Sequence, residues 1–168
     1  LSLHDALPIY PLPEAQMDRF MLKVIVGYPN AEEELQILDR MATTKPNFSI
    51  SSVVTPEEIV GYQSLVNGVH VDPLIRDYIV RLVMATREAT LGKGVAAELK
   101  RFLRIGASPR ATINLTLAAR ACAVMEGRPH VTPDDVKLIA PDVLRHRLLL
   151  TYEAEAEEVT PESLVQVL

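Results

Sequence analysis

Gly106-Ala107-Ser108-Pro109-Arg110-Ala111 opens an Ala- and Leu-rich stretch that ends near Gly127, and its residue order spells a helix start. Ser108 favours the N-cap, and Pro109 suits the first helical position, where its missing N–H costs nothing. Arg110 then falls in the first turn, where the macrodipole is positive and a cation is mildly disfavoured. An anion shared between its guanidinium and the free N–H groups would satisfy both, and phosphate is the expected one. A solvated surface arginine, tolerated at a small cost, is the alternative. The helix that follows carries Ile113, Leu117, Ala118, Ala121, Cys122 and Met125 as its expected apolar face, with small residues that permit close packing.

Outward from this stretch the chain reads as a run of short helices. Tyr10 to Phe20 is a turn and a short helix, with Pro13 at N1 and Glu14 at its positive end. Phe20-Met21-Leu22-Lys23-Val24-Ile25-Val26, bounded by Gly27 and Pro29, predicts a buried strand whose neighbours must come from other chain. Asn30 caps a helix with Glu32, Glu33 and Glu34 in its first turn and Leu35, Ile37, Leu38 and Met41 toward a core. Thr43 to Ser52 is a polar connector. Thr55-Pro56-Glu57-Glu58 is a capping box for a helix through Leu65, stopped at Asn67-Gly68. Asp72-Pro73 starts the next, with Leu74, Ile75, Tyr78, Ile79, Leu82 and Val83 in one stripe.

Thr90 to Ile105 reads as a loop. Its Gly92-Lys93-Gly94 lacks the G-x-x-x-x-G-K-[ST] spacing of a phosphate loop. Lys100, Arg101 and Arg104 form a small basic cluster, for which solvated surface is the default reading and a ligand role the alternative. Thr132-Pro133-Asp134-Asp135 opens a helix through about Ile139, Pro141 to Leu150 continues helically, and Thr160-Pro161-Glu162 starts a short terminal helix.

The totals bound the function. The chain has 168 residues, 48% hydrophobic and 23% charged, with a net charge of -5. That balance offers no general attraction to nucleic acid or anionic membrane, and with no basic recognition helix it argues against helix-turn-helix DNA binding. No apolar run is long enough to span a membrane and no signal peptide is legible, so a cytoplasmic protein is expected. The single cysteine, Cys122, reads as a buried small hydrophobe in a reducing compartment. Leu1 to Ile9 carries no periodicity, and the leucine at position 1 suggests the tail of a longer chain.

Three segments in this order resemble the MoxR family of AAA+ ATPases: Leu12-Pro13-Glu14-Ala15-Gln16-Met17-Asp18-Arg19-Phe20, then Gly27-Tyr28-Pro29 with its acidic helix, then Gly106 to Ala111. Val131-Thr132-Pro133-Asp134-Asp135-Val136 and His146-Arg147-Leu148 are similar too, so the likeness runs from about Tyr10 to the C-terminus. It implies a mainly α fold: the helical lid bundle of an AAA+ protein over 30–168, preceded by one helix and one strand left from the α/β P-loop core over 1–29. Leu1 to Ile9 does not match what the family carries before its Tyr-Pro-Leu-Pro.

The resemblance also implies roles. Arg19 corresponds to the arginine finger, which reaches the nucleotide of a neighbouring subunit and stabilises charge on the transferred γ-phosphoryl group. The alternative for Arg19 is a helix C-terminal cation paired with Asp18. Arg110, on the cap made by Ser108, corresponds to the sensor 2 residue of the lid, contacting nucleotide phosphate from its own or an adjacent subunit. ATP and Mg²⁺ are the implied cofactors, but the Walker A, Walker B and sensor 1 residues would lie upstream of Tyr10, so these residues alone are not expected to hydrolyse ATP. The parent would form a ring, usually a hexamer, and act as a chaperone on client proteins, often with a von Willebrand A domain partner. A non-enzymatic helical interaction module derived from such a lid is the competing reading.

Overall fold

The computed structural model describes residues 12–45, 50–93 and 97–168. The expectations for Leu1 to Ile9 and for Gly94 lie outside the described residues. Among those described, residues up to Lys23 together with Val66–Leu168 form one compact unit, and Val24–Leu65 forms another.

Local capping signals set the helices of the smaller unit. Helix α2 (Ala31–Met41) starts at Asn30, whose Oδ1 accepts the N–H groups of Glu32 and Glu33 at 3.0 Å while Glu33 Oε2 accepts Asn30 N–H at 2.8 Å. Helix α3 (Pro56–Gly68) starts at Thr55 with the same reciprocal pair to Glu58, and it runs a turn beyond Leu65. The expected core face of α2 is not buried: Leu35, Ile37, Leu38 and Met41 are exposed, and neither helix contributes a buried residue. A capping box forms a helix from four consecutive residues, but burying its apolar face needs an opposing surface, which the two helices do not give each other. The strand expected over residues 20–26 is likewise corrected. No strand is formed there, and Val24, Ile25 and Val26 are 63%, 64% and 88% exposed. β-branched residues fit a pleated surface but pair only where a strand edge is offered.

The larger unit holds the core. It begins with α1 (Glu14–Met17) and continues after α3 with α4 (Pro73–Thr90), capped by Asp72, whose carboxylate accepts Leu74 N–H at 2.8 Å. The stripe of α4 buries Ile79, Leu82, Val83, Thr86 and Ala89, while Leu74 at its start is exposed. Gly92, at φ +66°, closes α4: its N–H donates to Ala89 O and Lys93 N–H reaches back to Glu88 O, forming a C-terminal turn. The segment read as a loop then contains a 3₁₀ turn (Ala97–Arg101) and strand β1 (Leu103–Ile105).

Helix α5 (Pro109–Met125) turns a different face inward from the one expected. Ala111, Asn114, Leu115, Ala118, Ala119 and Ala123 are buried, whereas Ile113 and Met125 are exposed. α5 is apolar nearly all round, so hydrophobicity alone does not orient it. Close packing against α6 (Pro133–Leu144) and α4 seats four alanines beside Leu115 and Asn114 and leaves Ile113 and Met125 outside. Cys122 is half-buried, and burial together with the Asp135 charge pushes its thiol up. α6 runs through Pro141 and stops at Leu144, so the helical continuation expected from Pro141 to Leu150 holds only as far as Leu144. Beyond it, β2 (Leu149–Leu150) pairs antiparallel with β1, Leu103 opposite Leu150 and Ile105 opposite Leu149. α7 (Tyr152–Ala156) and α8 (Pro161–Val167) complete the unit, and Leu164 and Val165 of α8 enter the core.

The α6 cap is anchored by an ion pair. Asp135, 4% exposed, accepts from Arg128 Nη1 at 2.8 Å and Nη2 at 2.5 Å and from Thr132 N–H at 2.8 Å. The Arg128 bonds, opposed by burial and helped by Thr132, hold the carboxyl at about 2, below the usual 3.8. A depressed folded-state pKa gives stability that is full above the unfolded value and is lost as pH falls from about 4 to about 2, worth about 2 kcal/mol. Urea unfolding of the wild type and Asp135→Asn, compared at pH 7 and pH 2.5, is expected to show that difference shrinking in acid.

Candidate functional site

The loop before α5 is nailed to α4. A Cβ on Gly106 would stand 2.6 Å from both the carbonyl carbon and oxygen of Thr86 and 2.8 Å from Arg87 N, so only glycine permits this approach. Ala107 N–H donates to Thr86 Oγ1 at 2.9 Å, and Arg87 Nε donates to Ala107 O at 2.7 Å. With the loop so placed, Ser108 caps α5, its Oγ accepting Arg110 N–H at 3.2 Å.

The anion at this helix start is supplied by the chain itself. The carboxylate of Asp18 lies against both the cap hydroxyl and the Arg110 guanidinium. Ser108 Oγ lies 2.9 Å from both of its oxygens, Arg110 Nη1 donates to it at 3.0 Å, and Arg147 Nε donates at 3.1 Å. Burial would raise the Asp18 pKa, but the bonds from Ser108 and Arg110 and the charges of Arg147 and Arg110 bring it below the usual carboxylate value. Two guanidinium groups face one carboxylate, so the cluster keeps a net positive charge. The Arg110 side chain is 47% exposed, within reach of a further anion.

Arg147 is the centre of the clamp. Its side chain is fully buried, and besides Asp18 it donates to the main-chain oxygens of Asp18 (2.9 Å), Phe20 (2.5 Å) and Met21 (3.3 Å), and to Val143 O. Burial lowers its pKa and the Asp18 charge raises it, leaving a cation in the interior. His146 Nε2 stands 3.0 Å from Phe20 O, which can only accept, so Nε2 carries the hydrogen. Burial pushes this imidazole below its ordinary value, which favours the neutral ring. Arg145 adds a bond to Lys23 O, and Lys23 N–H donates to Asp142 O at 2.9 Å. The end of α6 and the turn after it thus grip residues 18–23.

Arg19 lies inside the gripped segment but is itself exposed, and its side chain forms no hydrogen bond or ion pair among the described residues. The alternative pairing with Asp18 is not made, because Asp18 is committed to Arg110 and Arg147. A pocket of about 200 Å³ opens beside the cluster, lined by Glu14, Asp18, Gly106, Ser108, His146 and Arg147 among others. The basic cluster that precedes the site is mostly occupied: Arg104 pairs with Glu14 at 2.7 Å, and Arg101 makes two 3.1 Å bonds to Glu157 and lies over the Phe102 ring. Among the described residues no three His, Cys, Asp or Glu side chains are placed to hold a metal ion.

Sequence reasoning placed Ser108 and Arg110 together but missed Asp18 and Arg147. Arg147 stands in an Arg145-His146-Arg147 triplet between Val143-Leu144 and Leu148-Leu149-Leu150, and the local sequence does not say which of the three basic groups is buried.

The AAA lid domain family profile matches residues 96–168. The chain is 43% identical over 158 residues to Chaperone MoxR1 of Mycobacterium tuberculosis, covering 94% of this chain and 41% of that protein. It is 35% identical over 167 residues to Protein MoxR of Paracoccus denitrificans, covering 90% and 48%. A crystal structure of a candidate ATPase from Cytophaga hutchinsonii superposes with a TM-score of 0.85 at 36% identity, covering 94% of this chain and 47% of that one. The chain therefore spans somewhat under half the length of these relatives. The ordered motifs, the helical bundle and these likenesses agree: over nearly all of its length the chain is similar to the MoxR proteins, and its residues 96–168 match the AAA lid domain.

Proposed function

We propose that this chain is the lid-bearing part of an ATP-hydrolysing chaperone, with residues 1–29 closing the α/β core and residues 30–168 forming the lid. In this reading the whole protein assembles as a ring, a hexamer by family likeness, binds ATP with Mg²⁺ held by residues outside the described chain, and uses hydrolysis to remodel client proteins. A von Willebrand A domain protein is the expected partner. Arg110 senses nucleotide phosphate, and Arg19 serves a neighbouring subunit as its arginine finger. One observation carries the reading: α5 presents a capped N-terminus and a half-exposed arginine already shaped around a carboxylate, while Arg19 projects from a rigidly held segment without a partner among the described residues. A carboxylate and a phosphate oxygen pair make the same demand on a guanidinium. No helix among the described residues is long and apolar enough to cross a membrane.

The test is Arg110→Ala in the full-length protein, read by titration with a fluorescent ATP analogue. Loss of one charged hydrogen bond to phosphate predicts affinity weaker by about tenfold or more. Unchanged affinity would remove Arg110 from the nucleotide site.

A further inference from the structure

Asp18 belongs to both arginines at once. Its carboxylate fixes the Arg110 side chain at the start of α5, and its main-chain oxygen, with that of Phe20 two residues on, is held by Arg147. The peptide carrying Arg19 is thereby fastened on both sides, at residues 18 and 20, to the same buried guanidinium. The neighbouring acid, Glu14, is occupied by Arg104, and the nearby imidazole, His146, is committed to Phe20 O. Asp18 is therefore the anion in direct contact with both Arg110 and Arg147, and any shift of Arg110 toward a ligand loosens one of the contacts that hold the residue before Arg19.

From this geometry we infer that Asp18 is a positioning residue that couples Arg110 to Arg19, so that the sensor on the lid and the finger offered to the neighbouring subunit move as one unit. The inference rests on the proposed roles of those two arginines. Asp18 touches neither substrate nor the reacting atoms in this scheme. Its contribution is to the aim of Arg19, and a small misplacement of a group that must meet a transferring phosphoryl is enough to cost one to two orders of magnitude in rate.

The experiment uses the full-length protein and a double-mutant cycle in ATP turnover. Asp18→Asn is expected to lower kcat roughly 30-fold with KM changed less than about threefold, and Asp18→Glu, which keeps the charge, to recover most of that loss. In an Arg19→Ala background, followed by single turnover with protein in excess, Asp18→Asn should add less than about twofold, because there is no finger left to misplace. Equal losses in both backgrounds, or a full kcat in Asp18→Asn alone, would overturn the coupling. Should Asp18→Asn not fold, Asp18→Glu replaces it in the same cycle, with about a fivefold loss expected in the wild-type background and none beyond about twofold with Arg19→Ala. The two levels separate cleanly. If Arg19→Ala by itself keeps full turnover, the finger assignment fails. If Arg19→Ala is inactive while Asp18→Asn is multiplicative with it, only the coupling fails.

Discussion

Arg19→Ala in the full-length protein is expected to reduce ATP turnover by roughly 10³-fold or more while nucleotide affinity stays within about threefold, the pattern of a group that acts on the transition state. The physical reason is in the placement. Arg19 is exposed and forms no ion pair among the described residues, so its removal breaks no contact that the lid needs. Its backbone is nevertheless held by the Arg147 bonds to Asp18 and Phe20, so the guanidinium is presented from a rigid base rather than from a floppy turn. A planar, permanently charged fork on such a base suits a phosphoryl group whose charge is spread over several oxygens. Because the finger would serve the adjacent subunit, mixing Arg19→Ala protein with a variant lacking the Walker A lysine is expected to restore measurable turnover. In a mixed ring some intact fingers face intact nucleotide sites. Failure to complement, with each parent variant inactive and rings still formed, would show that Arg19 does not act across the interface.

Gly106→Ala is expected to destabilise the larger unit by about 3–5 kcal/mol, enough to remove much of the stability of an ordinary domain. The added Cβ would overlap main-chain atoms of Thr86 and Arg87, which cannot swing aside as the end of a long side chain could. Relieving the overlap means lifting the loop from α4, and that breaks the Ala107 bonds to Thr86 and Arg87, each worth about 1 kcal/mol or somewhat more. Ser108 and Arg110 move with the loop, so nucleotide affinity should fall as well. Urea denaturation followed by circular dichroism measures the first effect. Gly61→Ala is the internal contrast: it lies within α3, where an added methyl would meet open space, and alanine is the better helix former, so the transition of the larger unit should not move. An unchanged midpoint for Gly106→Ala would mean that the loop has room the structure does not show.

Much of the architecture was legible because its signals are short. Asn30 with Glu33, Thr55 with Glu58, Asp72 with Pro73, Ser108 with Pro109, and Thr160 with Pro161 each start a helix where expected, since a cap is satisfied within three residues of itself. Errors came where a remote partner decides. The run 20–26 has the composition of a strand but meets no strand edge among the described residues, whereas Leu149–Leu150, with no strand signal of its own, pairs because β1 lies beside it. The inward face of α5 does not follow from hydrophobicity: Ile113 and Met125 stay exposed, while Ala111, Ala118, Ala119 and Ala123 are buried with Leu115 and Asn114.

The candidate site divides along the same line. By itself the amino-acid order determined that Ser108 caps a helix, that Arg110 sits in its first turn where an anion is wanted, and that these motifs place the chain with the MoxR proteins. Only the tertiary structure decided which anion of the chain meets Arg110: a carboxylate 92 residues away in sequence, at the end of α1, held by a buried Arg147 that no local pattern pairs with Asp18. Caps are settled by neighbours along the chain, whereas the partner of a charge is settled by whichever group the packed core brings within about 3 Å, and that is a property of the whole fold.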